Sequence, residues 1–193
     1  MSTIADKVTL QVAEAIKNRR EQLGLTLRAL ASKSGVSSSM ISDVERGTKS
    51  PTISTLSALA QALGMPISAL VDDSAAPPTA RIHVVRAAER AEFIDPKSGA
   101  RRGSLGPSLP GSRVEFLRYA VPPHTMAGPF APHASGTIEH MHLAAGSMWA
   151  VFGTDEVMLD AGDSCACVAD TPHRFDNRKS KVEALTYLVV ERP

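Results

Sequence analysis

The spacing of apolar residues changes once along this chain of 193 residues. In residues 1–71, apolar side chains recur every three or four positions, which is typical of amphipathic helices. From residue 81 onward, short runs of alternating character are broken by Gly and Pro, which is typical of β-strands. Residues 72–80, DDSAAPPTA, have the composition of a linker. The sequence therefore predicts an α-helical domain at 1–71, a linker at 72–80 and an all-β domain at 81–193.

Residues that start and stop helices divide the first half into five predicted helices. Thr26 and either Ser37 or Ser38 can accept hydrogen bonds from free amide groups at the start of the second and third helices. Gly35 can adopt the positive φ that a tight turn between these two helices requires. A second helix and a third helix joined in this way predict a helix-turn-helix.

Three motifs in this half resemble those of the phage-repressor, or Xre-type, helix-turn-helix family. They are GLT..ALA from Gly24, GVS...IS..ERG from Gly35, and P...TL..LA.ALG from Pro51. The resemblance runs without a gap from Ile16 to Leu70. It implies sequence-specific binding to double-stranded DNA, with the third helix in the major groove. The alternative is a five-helix bundle that contacts only other proteins.

The resemblance also assigns roles to individual residues. The residues implied to face the bases are Ser37, Ser38, Ser39 and Ser42. The residues implied to lie near the phosphates are Arg28, Thr48 and Lys49. An ion pair between Arg20 and Glu45 is implied as well. The chain departs from the family at Leu27, where Gln is common. Because this face has short serines instead of Arg or Asn, bidentate contacts to bases are weak, and DNA shape and bridging water are expected to contribute to specificity.

The second half contains seven runs predicted to be strands. These are RIHVV (81–85), RVEFLRYAV (113–121), IEHMHL (138–143), SMWAVF (147–152), EVMLD (156–160), SCACV (164–168) and ALTYLVV (184–190). Many short strands at this spacing predict a β-sandwich or a barrel.

Two motifs in this half resemble those of the cupin superfamily, whose fold is a small jelly-roll barrel. They are HASGTIEHMHLAAG (133–146) and GDSCACVADTPHRFDN (162–177). Metal-binding cupins take two His and a Glu from the first motif and a third His from the second. The matching residues here are His133, Glu139 and His173, and the place of the second His is taken by Ser135. The resemblance thus implies an incomplete set of ligands for a divalent metal such as Zn, Fe, Mn or Ni.

Strand alternation decides which side chains of the first motif face the barrel interior. If Glu139 points inward, Met141 does too, and His140 and His142 face the opposite side, where a strand or dimer contact would explain them. Without a metal, the inward polar groups would orient a small-molecule effector in a mostly apolar pocket. The predicted walls of this pocket are Met141, Trp149 and Phe175.

Charge and cysteine content add weaker constraints. The 21 Lys and Arg nearly balance the 20 Asp and Glu, so DNA affinity must come from a local basic patch. Cys165 and Cys167 would share one face of a strand, and we expect them to be reduced thiols rather than a disulfide. No signal peptide or long apolar run is recognised, which predicts a cytoplasmic protein without membrane contact.

The combined interpretation is a homodimeric transcriptional regulator, not an enzyme, that binds a pseudo-palindromic operator and responds to an effector in its cupin domain. One alternative is a metal-dependent cupin enzyme, of dioxygenase or isomerase type, fused to a DNA-binding domain. Another is a regulator whose cupin domain serves only to dimerise.

Overall fold

A computed structural model describes residues 4–71, 82, 84–106 and 112–193. The predicted linker at 72–80 lies outside these residues. Within these described residues, five α-helices come first, and ten β-strands in two antiparallel sheets follow. This confirms the predicted fold class, a helix-turn-helix region followed by a β jelly roll. None of the described helices has the length and apolar character needed to cross a membrane.

The helices begin and end close to the predicted capping residues. They are α1 (Ile4–Gln22), α2 (Leu27–Ser34), α3 (Ser38–Glu45), α4 (Ile53–Ala62) and α5 (Ser68–Val71). The hydroxyl of Thr26 accepts a hydrogen bond from the Ala29 amide, and that of Ser37 accepts one from the Met40 amide. Gly35 ends α2 with a φ of 71°, so the turn between α2 and α3 has the predicted left-handed residue.

The ten strands form a sandwich of a six-stranded and a four-stranded sheet, ordered β1-β2-β3-β10-β5-β8 and β4-β9-β6-β7. Their bounds are β1 (Glu92–Ile94), β2 (Arg101–Ser104), β3 (Val114–Val121), β4 (Met126–Phe130), β5 (Ile138–Ala145), β6 (Ser147–Phe152), β7 (Asp155–Asp160), β8 (Ser164–Val168), β9 (His173–Asp176) and β10 (Ala184–Glu191). At the β5–β6 turn, a Cβ on Gly146 would lie 2.5 Å from the Glu183 carbonyl oxygen, so only glycine fits there.

Six of the seven predicted strand runs correspond to strands, and the first does not. Of residues 81–85, the structure describes 82, 84 and 85, and none of these is in a strand. The first sheet begins instead with β1 and β2, which the sequence analysis did not predict. Ile82 and Val84 are exposed, so the apolar residues of this run do not pack into a sheet face.

Hydrogen bonds join the helical region directly to the β region. The Ile53 amide at the start of α4 donates to Asp95 Oδ2 at 2.7 Å, and Gln61 Nε2 donates to the Pro132 carbonyl at 2.7 Å. α4 also contacts β4, and α1 contacts β1. These contacts place the end of α4 and the turn before α5 over the interior of the β-sandwich.

Candidate functional site

The residues predicted to contact DNA lie in α2, in α3 and in the segments that directly follow these helices. The exposed ones are Arg28, Ser37, Ser39, Thr48 and Lys49, and the half-buried ones are Ser38 and Ser42. The opposite face of α3 buries Ile41 and Val44. The polar face is therefore available to a ligand, and its role in DNA recognition stays a prediction.

Arg46 belongs to the same surface, although the sequence analysis did not assign it a role. Its Nη1 donates to Ser42 Oγ and its Nη2 to Asp43 Oδ1, each at 2.6 Å. The Arg46 side chain is 59% exposed, so its guanidinium remains accessible beside the surface of α3 that is predicted to contact DNA. The Arg of the ERG motif was the sequence signal that could have identified it.

Arg20 and Glu45 form the ion pair that the family resemblance implied. Arg20 donates from Nε to Glu45 Oε1 at 2.6 Å and from Nη2 to Oε2 at 2.8 Å. Arg20 Nη1 also donates to the Leu25 carbonyl at 3.0 Å. The pair links α1 to the end of α3, and the hydrogen bond to Glu45 raises the pKa of Arg20.

A cavity of about 360 Å³ in the β region opens onto the helical region. Its interior wall comes from the two sheets and includes Leu117, Phe130, Phe175, Leu188 and Val190. Its other wall comes from the helical region: Ser57, Ala60, Gln61, Gly64, Met65, Pro66 and Ile67. A molecule in this cavity would therefore contact both regions of the chain.

His133, Glu139 and His173 lie together in the cavity wall, with one ligand atom of each within 4.8 Å of the others. His133 Nε2 lies 3.0 Å from Glu139 Oε1, and His173 Nε2 lies 3.4 Å from the same oxygen. Glu139 Oε2 is buried and has no hydrogen-bond partner among the described residues. The three residues predicted as metal ligands therefore lie close together, and Glu139 Oε2 is free to bind a further group.

The charges of this cluster reinforce one another. Burial opposes ionisation of Glu139, but the hydrogen bonds and charges of His133 and His173 lower its pKa to about 2. Burial likewise opposes protonation of His173, yet its contact with Glu139 raises its pKa. Glu139 is therefore a carboxylate at neutral pH, in a site that favours a proton or a cation between it and the histidines.

Neighbouring groups hold His173 in place. Its Nδ1 donates to the Thr171 carbonyl at 3.0 Å, which leaves Nε2 directed at Glu139. The Phe152 ring stacks on the imidazole at 5.0 Å with an interplanar angle of 4°. Such outer contacts fix the orientation of metal-binding histidines.

These residues fit a divalent cation. Two imidazole nitrogens and one carboxylate are the donors of a three-residue metal site with open positions, and the unpartnered Glu139 Oε2 is a further donor. Ser135 is exposed, in agreement with the loss of the fourth cupin ligand.

A second polar group in the cavity wall was missed by the sequence analysis. Arg102 on β2 is 2% exposed and donates from Nε to the Tyr119 hydroxyl at 3.1 Å. Arg192 donates to Glu115 Oε2 at 2.6 Å, and the Ser68 hydroxyl of α5 donates to Glu115 Oε1. Burial raises the pKa of Tyr119 to about 12, so it remains a neutral phenol. These residues come from distant strands, and no local motif marks them.

The predicted alternation of inward and outward side chains along β5 agrees with the structure. Two of the residues predicted to line the pocket, Met141 and Trp149, do not line the cavity. Glu139 and Met141 are buried, whereas His140 and His142 are exposed on the other face. Met141 packs in the core and does not reach the cavity. Trp149 lies between the inward-facing Met148 and Ala150, so it points away from the cavity and contacts Lys179.

The two cysteines are free thiols on one face of β8. Their sulfur atoms are 3.8 Å apart, and both side chains are half-buried. Burial raises the pKa of both, to about 12 for Cys167. They are not ligands of the cluster described above.

Comparisons with known proteins cover both regions. Residues 16–70 match the helix-turn-helix family HTH_3. The chain is 27% identical over 166 residues to the HTH-type transcriptional regulator SutR of Escherichia coli (strain K12), covering 86% of each protein. It is 27% identical over 173 residues to the HTH-type transcriptional regulator PuuR of the same organism, covering 84% of this chain and 85% of PuuR.

Solved structures show the same arrangement of the two regions. A crystal structure of an HTH_3 family transcriptional regulator from Vibrio cholerae is similar over 98% of this chain and 99% of that one, with a TM-score of 0.80 and 28% identity. A structure of FeII HppE covers 96% of this chain and 100% of that one, with a TM-score of 0.51 and 21% identity. The second likeness concerns the fold alone.

The fold and these comparisons define the class of this molecule: it is a transcriptional regulator with a helix-turn-helix domain followed by a C-terminal β-sandwich. Its helix-turn-helix segment, residues 16–70, is similar to the HTH_3, or Xre-type, family.

Proposed function

We propose that this regulator binds operator DNA through α2 and α3, and that a small molecule in the cupin cavity changes its affinity for that DNA. The observation that carries the proposal is the composition of the cavity wall. α4 and the turn before α5 form one side, and the cupin strands form the other. An effector bound there touches the DNA-binding region itself.

The packing of α4 offers a route for this coupling. α4 contacts α2 within the helical region and β4 in the cupin region. Its buried residues Leu56 and Leu59 belong to the core beneath the reading helices. An effector that favours one position of α4 therefore favours one position of α2 and α3, and DNA must then alter effector affinity by the same factor.

The DNA contacts follow the geometry of the helix-turn-helix. In the proposed complex α3 lies in the major groove, with Ser37, Ser38, Ser39 and Ser42 toward the bases. Arg28, Thr48 and Lys49 lie toward the phosphates, and Arg46 joins them from the end of α3. A homodimer would place two such helices on a pseudo-palindromic operator.

The histidine–carboxylate cluster would hold a divalent cation in this scheme. His133, Glu139 and His173 supply the donors, and the cation would give an effector a Lewis-acidic contact at the cavity wall. We predict that the purified protein binds Zn²⁺, Fe²⁺, Mn²⁺ or Ni²⁺, and that the E139A/H173A double variant does not. Metal analysis after dialysis measures both.

The same cluster favours a second candidate function. Two histidines and one carboxylate are also the ligand set of many iron oxygenases. A metal-dependent turnover that disappears in the E139A/H173A variant would show that the cupin domain is an enzyme. The sensor proposal expects no such turnover.

The test of the sensor uses two pairs of substitutions on the same protein. Operator DNA selected from a random library is titrated with protein, with and without the small-molecule fraction of a bacterial cell extract. We expect the extract to change the Kd of the wild-type protein by about fivefold or more. The E139A/H173A variant should bind DNA normally but lose this response.

The H140A/H142A variant is the matched control, because these side chains lie on the opposite face of β5. It should keep the response. Loss of the response in the control, with retention in E139A/H173A, would contradict the assignment of the cavity as the effector site. An unchanged Kd for the wild-type protein under every extract would support the ligand-independent alternative.

A further inference from the structure

Two polar groups in the cavity wall, outside the histidine–carboxylate cluster, have hydrogen-bonding capacity that the described part of the chain does not use. Thr137 is 1% exposed, lines the cavity, and its Oγ1 has no hydrogen-bond partner. The Tyr119 hydroxyl accepts a hydrogen bond from Arg102, and the structure shows no acceptor for its own proton. Buried groups of this kind are normally satisfied, so their remaining partner is expected to be a bound molecule.

Arg102 is a buried cation in the cavity wall whose guanidinium is only partly paired. Its side chain is 2% exposed, yet Nε makes its one hydrogen bond within the described residues. The nearest carboxylate oxygen, Glu115 Oε2, is 3.9 Å from Nη2, beyond hydrogen-bond distance. A buried guanidinium is costly unless its donors are paired.

The local charge is also unbalanced. Glu115 is engaged by Arg192 at 2.6 Å and by the Ser68 hydroxyl. Arg102 and Arg192 thus share a single carboxylate, which leaves one positive charge in excess at this end of the cavity. An anion placed at Arg102 would satisfy its terminal N–H groups and cancel that charge.

The remaining walls are apolar and aromatic. Tyr119, Phe130 and Phe175 pack edge to face, with ring centroids 5.4 to 6.1 Å apart. Leu117, Leu188 and Val190 complete the same lining. A small inorganic anion would leave these walls without contacts, whereas an anion with an apolar body would cover them.

We infer that the effector of this regulator is a small organic carboxylate whose anionic group pairs with Arg102 and whose apolar body lies against the aromatic wall. The inference rests on the proposed function, since it takes the cavity as the effector site. It adds the chemical class of the ligand and the residue that selects it. Thr137 and the Tyr119 hydroxyl are then further donors to the bound molecule.

The test compares ligands that differ in the polar group alone. Straight-chain carboxylates from butanoate to octanoate, phenylacetate, and the amide and amine of each are titrated into the full-length protein by calorimetry. We expect at least one carboxylate to bind about 10- to 100-fold more tightly than its own amide and amine. Amines that bind as well as carboxylates, or failure of every carboxylate to bind, would overturn the inference.

Two variants locate the anion. R102M should lose about 10- to 100-fold in carboxylate affinity while its affinity for the amide stays the same. R101M is the matched control, because Arg101 is the next residue on β2 but points outward to Glu183. It should bind like the wild-type protein. The comparison among ligands on the wild-type protein decides the question even if R102M does not fold.

The chelator EDTA, which removes metal ions, tests whether the carboxylate binds to Arg102 or to a metal ion in the histidine–carboxylate cluster. Carboxylate binding that persists in EDTA and falls in R102M supports the inference. Binding that disappears in EDTA and is unaffected in R102M would place the carboxylate on a metal ion and contradict it. Calorimetry measures carboxylate binding without DNA, and a separate titration measures operator affinity. A carboxylate that binds but does not change operator affinity would refute the proposed function and leave the inferred ligand class intact.

Discussion

Ser39 in α3 and Lys49 after the end of α3 are both exposed, but they are expected to contact different parts of the duplex. Lys49 is assigned to a phosphate, so K49A should weaken binding to all DNA sequences and lower the salt dependence, d log K/d log[salt], by about one. Ser39 is assigned to the bases, so S39A should change the preference among operator variants. Fluorescence anisotropy with operator and random DNA over a salt series measures both effects.

The two variants are controls for each other. Equal losses on operator and random DNA in both would contradict the assignment of Ser39 to the bases. A salt dependence unchanged in K49A would remove Lys49 from the phosphate contacts.

At the scale of single residues, the sequence motifs identified the three residues of the histidine–carboxylate cluster, but they did not identify all of the residues that line the cavity. His133, Glu139 and His173 could be found because the cupin motifs fix them in sequence and strand alternation fixes the inward face of β5. Trp149 was predicted to line the pocket, but the register of β6 turns it outward. Arg102 could not be predicted, because its burial depends on tertiary packing against Tyr119.

At the scale of elements, the Arg20–Glu45 pair fixes the end of α3 against α1. Both side chains are largely buried, at 13% and 8% exposed, so removing one leaves the other charge unpaired. R20A is therefore expected to lower the free energy of unfolding by about 1–3 kcal/mol, and DNA binding falls with stability. Urea denaturation followed by circular dichroism measures the change.

E21A provides the control for this prediction. Glu21 also contacts Arg20, at 3.3 Å, but its side chain is 53% exposed. Exposed ion pairs contribute little, so E21A should change the free energy of unfolding by less than about 0.5 kcal/mol. An unchanged denaturation midpoint in R20A would show that the pair does not stabilise the helical region.

The helices were easier to predict from the sequence than the strands. Caps and glycine stops are local signals, and Thr26, Ser37 and Gly35 act as predicted. β2 and β4 lack such signals, because RRGS is polar and MAGPF contains Gly and Pro. Strands of this kind depend on pairing with β3 and β9, which the sequence does not show.

At the scale of the whole molecule, the helical region is attached to the β-sandwich around the cavity that we propose as the effector site. Asp95 accepts a hydrogen bond from the first amide of α4, and Glu115 accepts one from Ser68 in α5. The cavity lies between these elements and the sheets. The same contacts that hold the two regions together can therefore respond to a ligand.

Glu115 makes this attachment dependent on pH. Burial opposes its ionisation, but the charges of Arg102 and Arg192 and the Ser68 hydroxyl lower its pKa below the ordinary value of 4.5. A carboxyl whose pKa is lower in the folded protein stabilises it above the unfolded pKa, and this stability is lost as the pH falls through the folded pKa.

E115Q should therefore be less stable than the wild-type protein by about 1–3 kcal/mol near pH 7. The difference should shrink below about pH 4.5. Thermal melts of both proteins over this range measure the difference, and E191Q, whose side chain is exposed, should show almost none at any pH. A difference that stays constant or grows as the pH falls would mean that ionised Glu115 does not hold α5 on the β-sandwich.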